Sequence, residues 1–252
     1  MLVNHFNAIM VSITSTMLLV LAFVVINGDR ADGSASENYV YEASKMPELK
    51  YYDKYDELKA TGKFAVVYPI ITQSAYDWKG IHDFYAGYCD SCTTAELHTA
   101  YEKTYSASGS GYRILEFLGY EVLDDIDIDK NPEILKNYEK IVILHNEFVT
   151  EREFRAITAH PNVVYLYPNA LTSKVEVDHA SGLITLVRGP SYPDSDTKSG
   201  FDWKHDNSEF FTDWDCHSWE FYPVENGHML NCYPETFLPG DGYEMLKALR
   251  AL

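Results

Sequence analysis

Three side chains that could act in catalysis or metal binding follow apolar runs of the sequence. His145 and Glu147 stand where the run 141–145 ends, and Tyr76 stands just after the run 64–72. A histidine and a glutamate at such a point can act as acid, base or metal ligand, so we predict His145 and Glu147 as candidate catalytic residues. Since ligands in open parallel sheets bind beyond the carboxyl ends of strands, we expect Tyr76 to point into the same crevice.

These residues also have structural interpretations. Glu147 directly precedes a capped helix, so it could close the helix entry or bond a neighbouring loop. The aromatic C-terminal part of the chain could fill the crevice instead of leaving it open. Further candidates for the walls of the crevice follow a third apolar run or belong to that C-terminal part: Tyr167, Pro168, Asn169, His217, Trp219, Glu220, His228 and Glu235.

The four cysteines are Cys89, Cys92, Cys216 and Cys232. An even number outside the cytoplasm favours disulfides, and of the three possible pairings we prefer Cys89–Cys92 with Cys216–Cys232. A zinc site is the main rival, although its short CxxC spacing usually occurs twice, and it would recruit nearby histidines. A thioredoxin-like redox pair is a third interpretation, but no predicted strand ends at Cys89. The histidines near the cysteines are His82, His98 and His217.

Three alternating aspartates, Asp125, Asp127 and Asp129, form the densest acidic motif. A calcium loop of the EF-hand type needs glycine directly after the third acid and glutamate at its twelfth position. Those places hold Lys130 and Lys136, so a calcium loop is excluded. The motif instead predicts a strand edge with one solvated acidic face.

The elements that would position these residues alternate along the chain. Short links between strands and helices predict a parallel sheet covered by helices on both faces, with a hairpin appended to it. Residues 190–240 lack periodicity and predict an irregular covering segment, which an amphipathic helix follows. The predicted strands are 64–72, 120–128, 141–145 and 163–167, the hairpin is 174–177 with 183–187, the helices are 47–60, 93–101, 132–138 and 150–159, and a turn at 106–111 precedes a helix to Leu118.

Residues 8–26 form an uncharged apolar run of 19 residues. A helix of that length approaches the ~30 Å hydrocarbon core of a membrane. The run predicts either a retained anchor or a cleaved signal peptide, which places the rest of the chain outside the cytoplasm or in secreted form. The expected organisation is therefore an anchor or signal at 1–27, a linker at 28–46 and a single α/β domain at 47–252.

The composition limits the classes of partner. Thirty-eight acidic residues oppose 20 basic ones, which gives a formal net charge of −18. The negative field of the protein repels a phosphate backbone, so nucleic acid is not an expected partner. The membrane is an expected partner through the apolar run 8–26. With 46% hydrophobic and 23% charged residues, the chain of 252 residues belongs to the globular class rather than to disordered or coiled-coil proteins.

Two stretches resemble the C-terminal domain of the N,N-dimethylformamidase large subunit and its relatives. They are NYEKIVILHNEFVTEREFRAI at 137–157 and YPIITQSAYD at 68–77, and the resemblance covers about 63–177. It implies a flavodoxin-like α/β fold similar to class I glutamine amidotransferases. The nucleophilic cysteine of those amidotransferases is absent, because no cysteine follows a predicted strand.

The formamidase resemblance also implies a cofactor. In that family tyrosines and a glutamate hold a mononuclear iron, and Glu147 and Tyr76 match the motif glutamate and a motif tyrosine. Phe148 and Val149 stand where the family has tyrosine and tryptophan. The position of a second tyrosine ligand stays open between three residues: Tyr85, Tyr88 and Tyr112.

The chain as a whole also resembles a group of exported proteins of ammonia-oxidising archaea. The residues that carry this likeness are LHNEFVT at 144–150, HPNVVYLYPNAL at 160–171 and LNCYPE at 230–235. Three functions follow from the two resemblances and the composition. The first is a non-catalytic binding or envelope protein, the second a metal-dependent hydrolase of C–N amide bonds, and the third extracytoplasmic metal handling by scattered His, Cys and Met residues.

Overall fold

The computed structural model describes residues 53–102, 104, 106–203, 205 and 208–252. These residues belong to one compact unit. The predicted anchor or signal peptide, the linker and the first part of the predicted helix 47–60 lie outside the described residues. Within the described part of the chain, no helix is long and apolar enough to cross a membrane.

The main sheet has six strands, five of them parallel. The sixth, at one edge, runs antiparallel to its neighbour. In order across the sheet the strands are β3 (Glu121–Asp124), β1 (Phe64–Tyr68), β4 (Lys140–Ile143), β6 (Val163–Tyr165), β10 (Gly227–Leu230) and β9 (Phe221–Val224).

A second, mixed sheet has four strands. In order they are β2 (Thr94–Glu96), β8 (Leu183–Arg188), β7 (Ser173–Asp178) and β5 (Phe148–Val149). The hairpin β7–β8 was correctly predicted as a hairpin, but it belongs to this second sheet and is not appended to the main one. The chain passes from the main sheet to the second sheet through the short link between β4 and β5, and β5 pairs in parallel with β7.

The helices are α1 (Ile70–Ala75), α2 (Ile81–Tyr85), α3 (Gly109–Phe117), α4 (Asp125–Lys130), α5 (Glu151–Ala159) and α6 (Tyr243–Ala251), with 3₁₀ turns at Asp53–Leu58, Pro132–Asn137 and Ser208–Phe210. Alternate residues of the main sheet face opposite layers, as the pleat requires. Val66 packs with residues of α3 and α6, whereas Ala65 and Val67 pack with Ile157 of α5. The protein is therefore an α/β structure with mixed sheets, and both faces of the main sheet are covered.

Two predicted strands end earlier than expected, because a helix starts inside each. Pro69 follows Tyr68, and residues 70–75 form α1 instead of completing a strand to residue 72. The Asp125 carboxylate accepts a hydrogen bond from the Ile71 amide, at 3.1 Å, and so satisfies a free donor of the first helical turn. Strand 120–128 likewise stops at Asp124, where α4 begins.

The aspartate motif is therefore a helix and not a solvated strand edge. Asp124 is the N-cap of α4, and its side chain accepts from the Asp127 amide at 2.9 Å. Asp125 is fully buried and Asp129 is nearly so. Burial raises the pKa of Asp125 well above its ordinary value. The alternation of charged and apolar residues was misleading because two of the three acids point into the protein.

The helix predicted at 93–101 was also wrong. Residues 94–96 form β2, and Thr94 pairs with Thr185 of β8. Pairing with a distant strand outweighs the local capping pattern here. The other capping box is confirmed: the Thr150 hydroxyl accepts from the Glu153 amide, and the Glu153 carboxylate accepts from the Thr150 amide at 2.7 Å.

The C-terminal part is more regular than its sequence indicates. Strands β9 and β10 form a hairpin within the covering segment, and β10 extends the main sheet beside β6. The final helix is present as predicted, with Leu246 and Leu249 buried. We call residues 190–240 the covering segment.

The preferred cysteine pairing is confirmed. Cys89 and Cys92 form one disulfide, with Cα atoms 5.5 Å apart, and Cys216 and Cys232 form the other, with Cα atoms 5.4 Å apart. No free cysteine remains, so a cysteine-based zinc site is excluded. Cys92 leads into strand β2 rather than into a helix, which also argues against the thioredoxin-like interpretation.

Candidate functional site

The three predicted side chains lie together around one carboxylate oxygen. The Tyr76 hydroxyl donates a hydrogen bond of 2.7 Å to Glu147 Oε2. His145 Nε2 lies 3.2 Å from the same oxygen, and the Asn169 amide nitrogen donates to it at 3.3 Å. The expectation that Tyr76, His145 and Glu147 lie together is confirmed, and their catalytic and metal-binding roles stay predictions.

The parallel strands bring these residues to one edge of the main sheet. Tyr76 directly follows α1, which begins just beyond the end of β1. His145 and Glu147 lie in the short link between β4 and β5, and Asn169 follows β6. Since β1, β4 and β6 are parallel neighbours, their carboxyl ends meet at the same edge, and the side chains that follow them can touch.

Both ring nitrogens of His145 are occupied. Nδ1 lies 2.8 Å from the Tyr233 hydroxyl and 3.0 Å from the Ser106 carbonyl oxygen. Nε2 contacts Asn169 Nδ2 as well as the Glu147 carboxylate. The ring is therefore fixed on both sides, as expected for a buried polar group.

The site is almost closed to solvent. His145 is 2% exposed and Asn169 is 7% exposed. The Glu147 side chain retains 15% of its accessibility, and Tyr76 is also partly exposed. Solvent therefore reaches the cluster at the Tyr76–Glu147 side and is excluded from the histidine.

Two further residues border that accessible side. His82 stacks on Tyr76 with ring centroids 4.1 Å apart, and burial lowers the pKa of His82 despite the nearby negative charge of Glu147. Burial also raises the pKa of Tyr85 to about 12, and the charge of Glu147 adds to this effect. His82 was predicted only as a possible zinc ligand near the cysteines, so its stacking on Tyr76 was missed.

Of the three tyrosines left open as a second ligand, Tyr85 is the one whose ionisation the Glu147 charge influences. Its hydroxyl is buried, and the neighbouring Ser173 side chain opposes the rise of its pKa through a hydrogen bond. Tyr88 is 65% exposed. Tyr112 instead packs against other tyrosines, with its ring centroid 4.9 Å from that of Tyr68.

The covering segment enters the crevice through Tyr233 and Glu235. Besides the contact of Tyr233 with His145, the two aromatic rings of Tyr233 and Tyr167 meet edge to face, with centroids 4.9 Å apart. Glu235 accepts hydrogen bonds from the Ser110 amide at the start of α3, at 2.5 Å, and from the Tyr167 hydroxyl. Burial raises the pKa of Glu235 to about 7. Both residues are buried, so they form a plug between α3 and β6.

The other candidates of the covering segment lie outside this plug. His217 and Glu220 are exposed, and Trp219 packs against Phe221. His228 is part of β10 and pairs with Val164 in the sheet. Tyr233 was not among the predicted site residues, because it reaches His145 across 88 residues of sequence.

The donor set limits the metals that could be held. Among the described residues, no group of three or more His, Cys, Asp and Glu side chains could hold a metal ion. Tyrosine is outside that set, and Tyr76 Oη with Glu147 Oε2 provides two adjacent oxygen donors of the kind that hard metals prefer. The four thiols are all in disulfides and are not available as ligands.

Comparison with known proteins adds no relative. No family model matches the chain, and no curated protein is significantly similar to it. The resemblance to the formamidase domain therefore stays a prediction, which the sequence motifs alone support.

Proposed function

We propose that this chain is a non-catalytic binding or envelope protein that is exported or anchored by residues 8–26. The observation that carries this proposal is the plug formed by Tyr233 and Glu235 in the crevice. A general acid or base must come within hydrogen-bonding reach of its substrate. His145 is 2% exposed with both nitrogens engaged, so a substrate would have to displace Asn169 or Tyr233 to reach it.

The strand order supports an amidotransferase-like fold for this role. Numbered among themselves along the chain, the five parallel strands have the order 2-1-3-4-5, the arrangement of flavodoxin-like proteins. The two disulfides support an oxidising compartment outside the cytoplasm. The net charge of −18 supports the absence of nucleic acid among the partners.

A metal-dependent amide hydrolase related to N,N-dimethylformamidase is the second candidate. It is favoured by the 2.7 Å contact of the Tyr76 hydroxyl with Glu147, since these two residues match the family motif. Both oxygens would serve as ligands, and a hard metal bound there would lower the pKa of its water molecule. His145 and Asn169 would hold Glu147 in place, and Tyr85 is the remaining tyrosine next to it.

Metal content and amidase activity of the full-length protein distinguish these functions. The purified protein is incubated with iron, copper or zinc, desalted and analysed for metal, and then assayed with a formamide. Absence of stoichiometric metal and of hydrolysis supports the binding role. Stoichiometric iron with an activity that Glu147→Gln abolishes would establish the hydrolase instead, and stoichiometric copper without hydrolysis would establish metal handling. Glu220→Gln, which changes an exposed carboxylate, is the matched control.

A further inference from the structure

A cleft of about 780 Å³ borders the 168–172 turn. Asn169 of this turn contacts His145, whereas its neighbours Pro168 and Ala170 line the cleft. The volume falls within the ~300–1,000 Å³ typical of small-molecule sites. The residues that the cleft exposes belong to none of the contacts that close the histidine site.

One wall of the cleft is aromatic and well supported. Trp203 is partly exposed, and its ring packs against Tyr165 and Phe154, with centroids 5.2 and 6.1 Å away. Phe154 is itself stacked on Phe201 at 4.0 Å. A ring held in this way loses little further freedom when a ligand covers its remaining face. Trp203 therefore forms a preorganised platform for a flat, apolar ligand surface.

The lining of the cleft also carries polar groups that have no partner among the described residues. Within the described part of the chain, the exposed side chains of Asp196 and Lys198 take part in no hydrogen bond or ion pair. The cleft is also lined by Ser195 and Thr197, which carry hydroxyls. His205 lies beside Trp203, with ring centroids 5.1 Å apart, and its buried Nε2 has no hydrogen-bond partner among the described residues. A buried polar atom without a partner is costly, and a ligand hydroxyl would satisfy it.

The charges of the lining point to a neutral ligand. Asp196 and Lys198 offset each other, so the cleft favours neither sign, although the chain carries a net charge of −18. Phosphate recognition draws on several basic groups or on a helix N-terminus, and a single lysine next to an aspartate does not provide this. A ligand with one apolar face and many hydroxyls matches this lining.

We infer that this cleft binds a neutral saccharide, with a sugar ring on Trp203 and its hydroxyls bonded to Asp196, Lys198 and His205. The inference rests on the proposed binding role and gives it a ligand class, but it uses a different site from the plugged crevice. The two can therefore be tested separately. A negative saccharide titration would leave the metal and amidase results unchanged, and the reverse also holds.

The test titrates the full-length protein with neutral di- and trisaccharides, namely cellobiose, maltotriose, chitobiose and mannobiose, by calorimetry. The double variant Asp196→Ala with Lys198→Ala changes two exposed side chains and should leave the fold intact. Trp203→Phe tests the platform. Trp78→Phe is the matched control, since Trp78 is 59% exposed and lines a separate pocket.

Saturable binding of at least one saccharide is expected, with an affinity reduced about tenfold or more by the double variant and by Trp203→Phe. Trp78→Phe should bind as the wild type does. The inference is overturned if no saccharide saturates the protein by ~10 mM, or if the double variant binds as tightly as the wild type. Binding restricted to charged sugars, or to a peptide such as trialanine, would also overturn it.

Discussion

Replacing Glu235 tests the plug through the pH dependence of stability. Burial raises the pKa of this carboxyl from 4.5 to about 7, although bonds from Tyr167 and from the start of α3 oppose the change. Between these pH values the folded protein holds a proton that the unfolded chain has released. The resulting stability is fully present below pH 4.5, and it is lost as the pH rises to about 7.

The size of the effect follows from the shift. One pKa unit corresponds to ~1.4 kcal/mol, so a change from 4.5 to about 7 corresponds to ~3 kcal/mol. Glu235→Gln removes the titration, because an amide does not ionise in this range. The glutamine carbonyl still accepts from the Ser110 amide, and its NH₂ group can donate to the Tyr167 hydroxyl oxygen, so the variant keeps both contacts at every pH. The free energy of unfolding of the wild type should therefore fall by ~3 kcal/mol relative to that of the variant as the pH rises.

Urea unfolding of both proteins at several values from about pH 4.5 to about pH 8 measures this difference. Other buried carboxyls, such as Asp125 and Glu153, titrate in both proteins, so they cancel in the comparison. Glu220 lies in the same segment but is exposed, so the free energy of unfolding of Glu220→Gln should change with pH as that of the wild type does. The prediction is wrong if the free energies of unfolding of the wild type and of Glu235→Gln change with pH in the same way. It is also wrong if the wild type becomes more stable relative to the variant as the pH rises, because α3 would then stabilise an ionised carboxylate.

Three further predictions concern the site, the disulfides and a cap. Glu147→Gln should lower the free energy of unfolding by ~1–3 kcal/mol, because its three polar neighbours lose a charged acceptor; unchanged stability in urea would argue for a functional rather than a structural role. Serine replacement of Cys216–Cys232 should lower the free energy of unfolding by ~3 kcal/mol, and that of Cys89–Cys92 by only ~1.5 kcal/mol. The reason is that the two disulfides close loops of 16 and 3 residues. Equal losses of stability in urea would show that loop entropy is not the cause. Thr150→Ala should cost ~1–2 kcal/mol in thermal unfolding, since the hydroxyl caps α5 and donates to Asp129, and a loss below ~0.3 kcal/mol would contradict the capping role.

The sheet was largely predictable because its strands are locally marked. Each of β1, β4 and β6 is an apolar run, and the Thr150 capping box predicts the helix between β4 and β6. The ends of strands were less predictable. Helices start at Pro69 and Asp124, within runs whose residues also suit a strand, and only the fold decides between the two.

The contacts of the site that depend on strand ends could be predicted. Those made with residues far away in the sequence could not. Tyr76 and Glu147 follow strands that must be neighbours, so their contact could be expected from the alternation of elements. Tyr233 and Glu235 belong to a segment with no periodic pattern, and they meet residues 88 and 125 positions away. No local signal encodes contacts of that range, and β2 was missed for the same reason, since its partner is a strand about 90 residues further on.

The position of the plug next to a disulfide explains how so few contacts can keep the crevice closed. Cys232 directly precedes Tyr233, and its bond to Cys216 fixes the chain at that point. The residue before a proline is restricted to extended backbone, so Pro234 also limits the directions that Tyr233 can take. The hydrogen bonds of Tyr233 and Glu235 then form within a segment that has already lost most of its freedom, and they need not offset the full entropy of ordering it. An oxidised protein should therefore keep His145 covered, whereas the serine variant of Cys216–Cys232 should expose it, which hydrogen–deuterium exchange of residues 230–238 would detect as faster exchange.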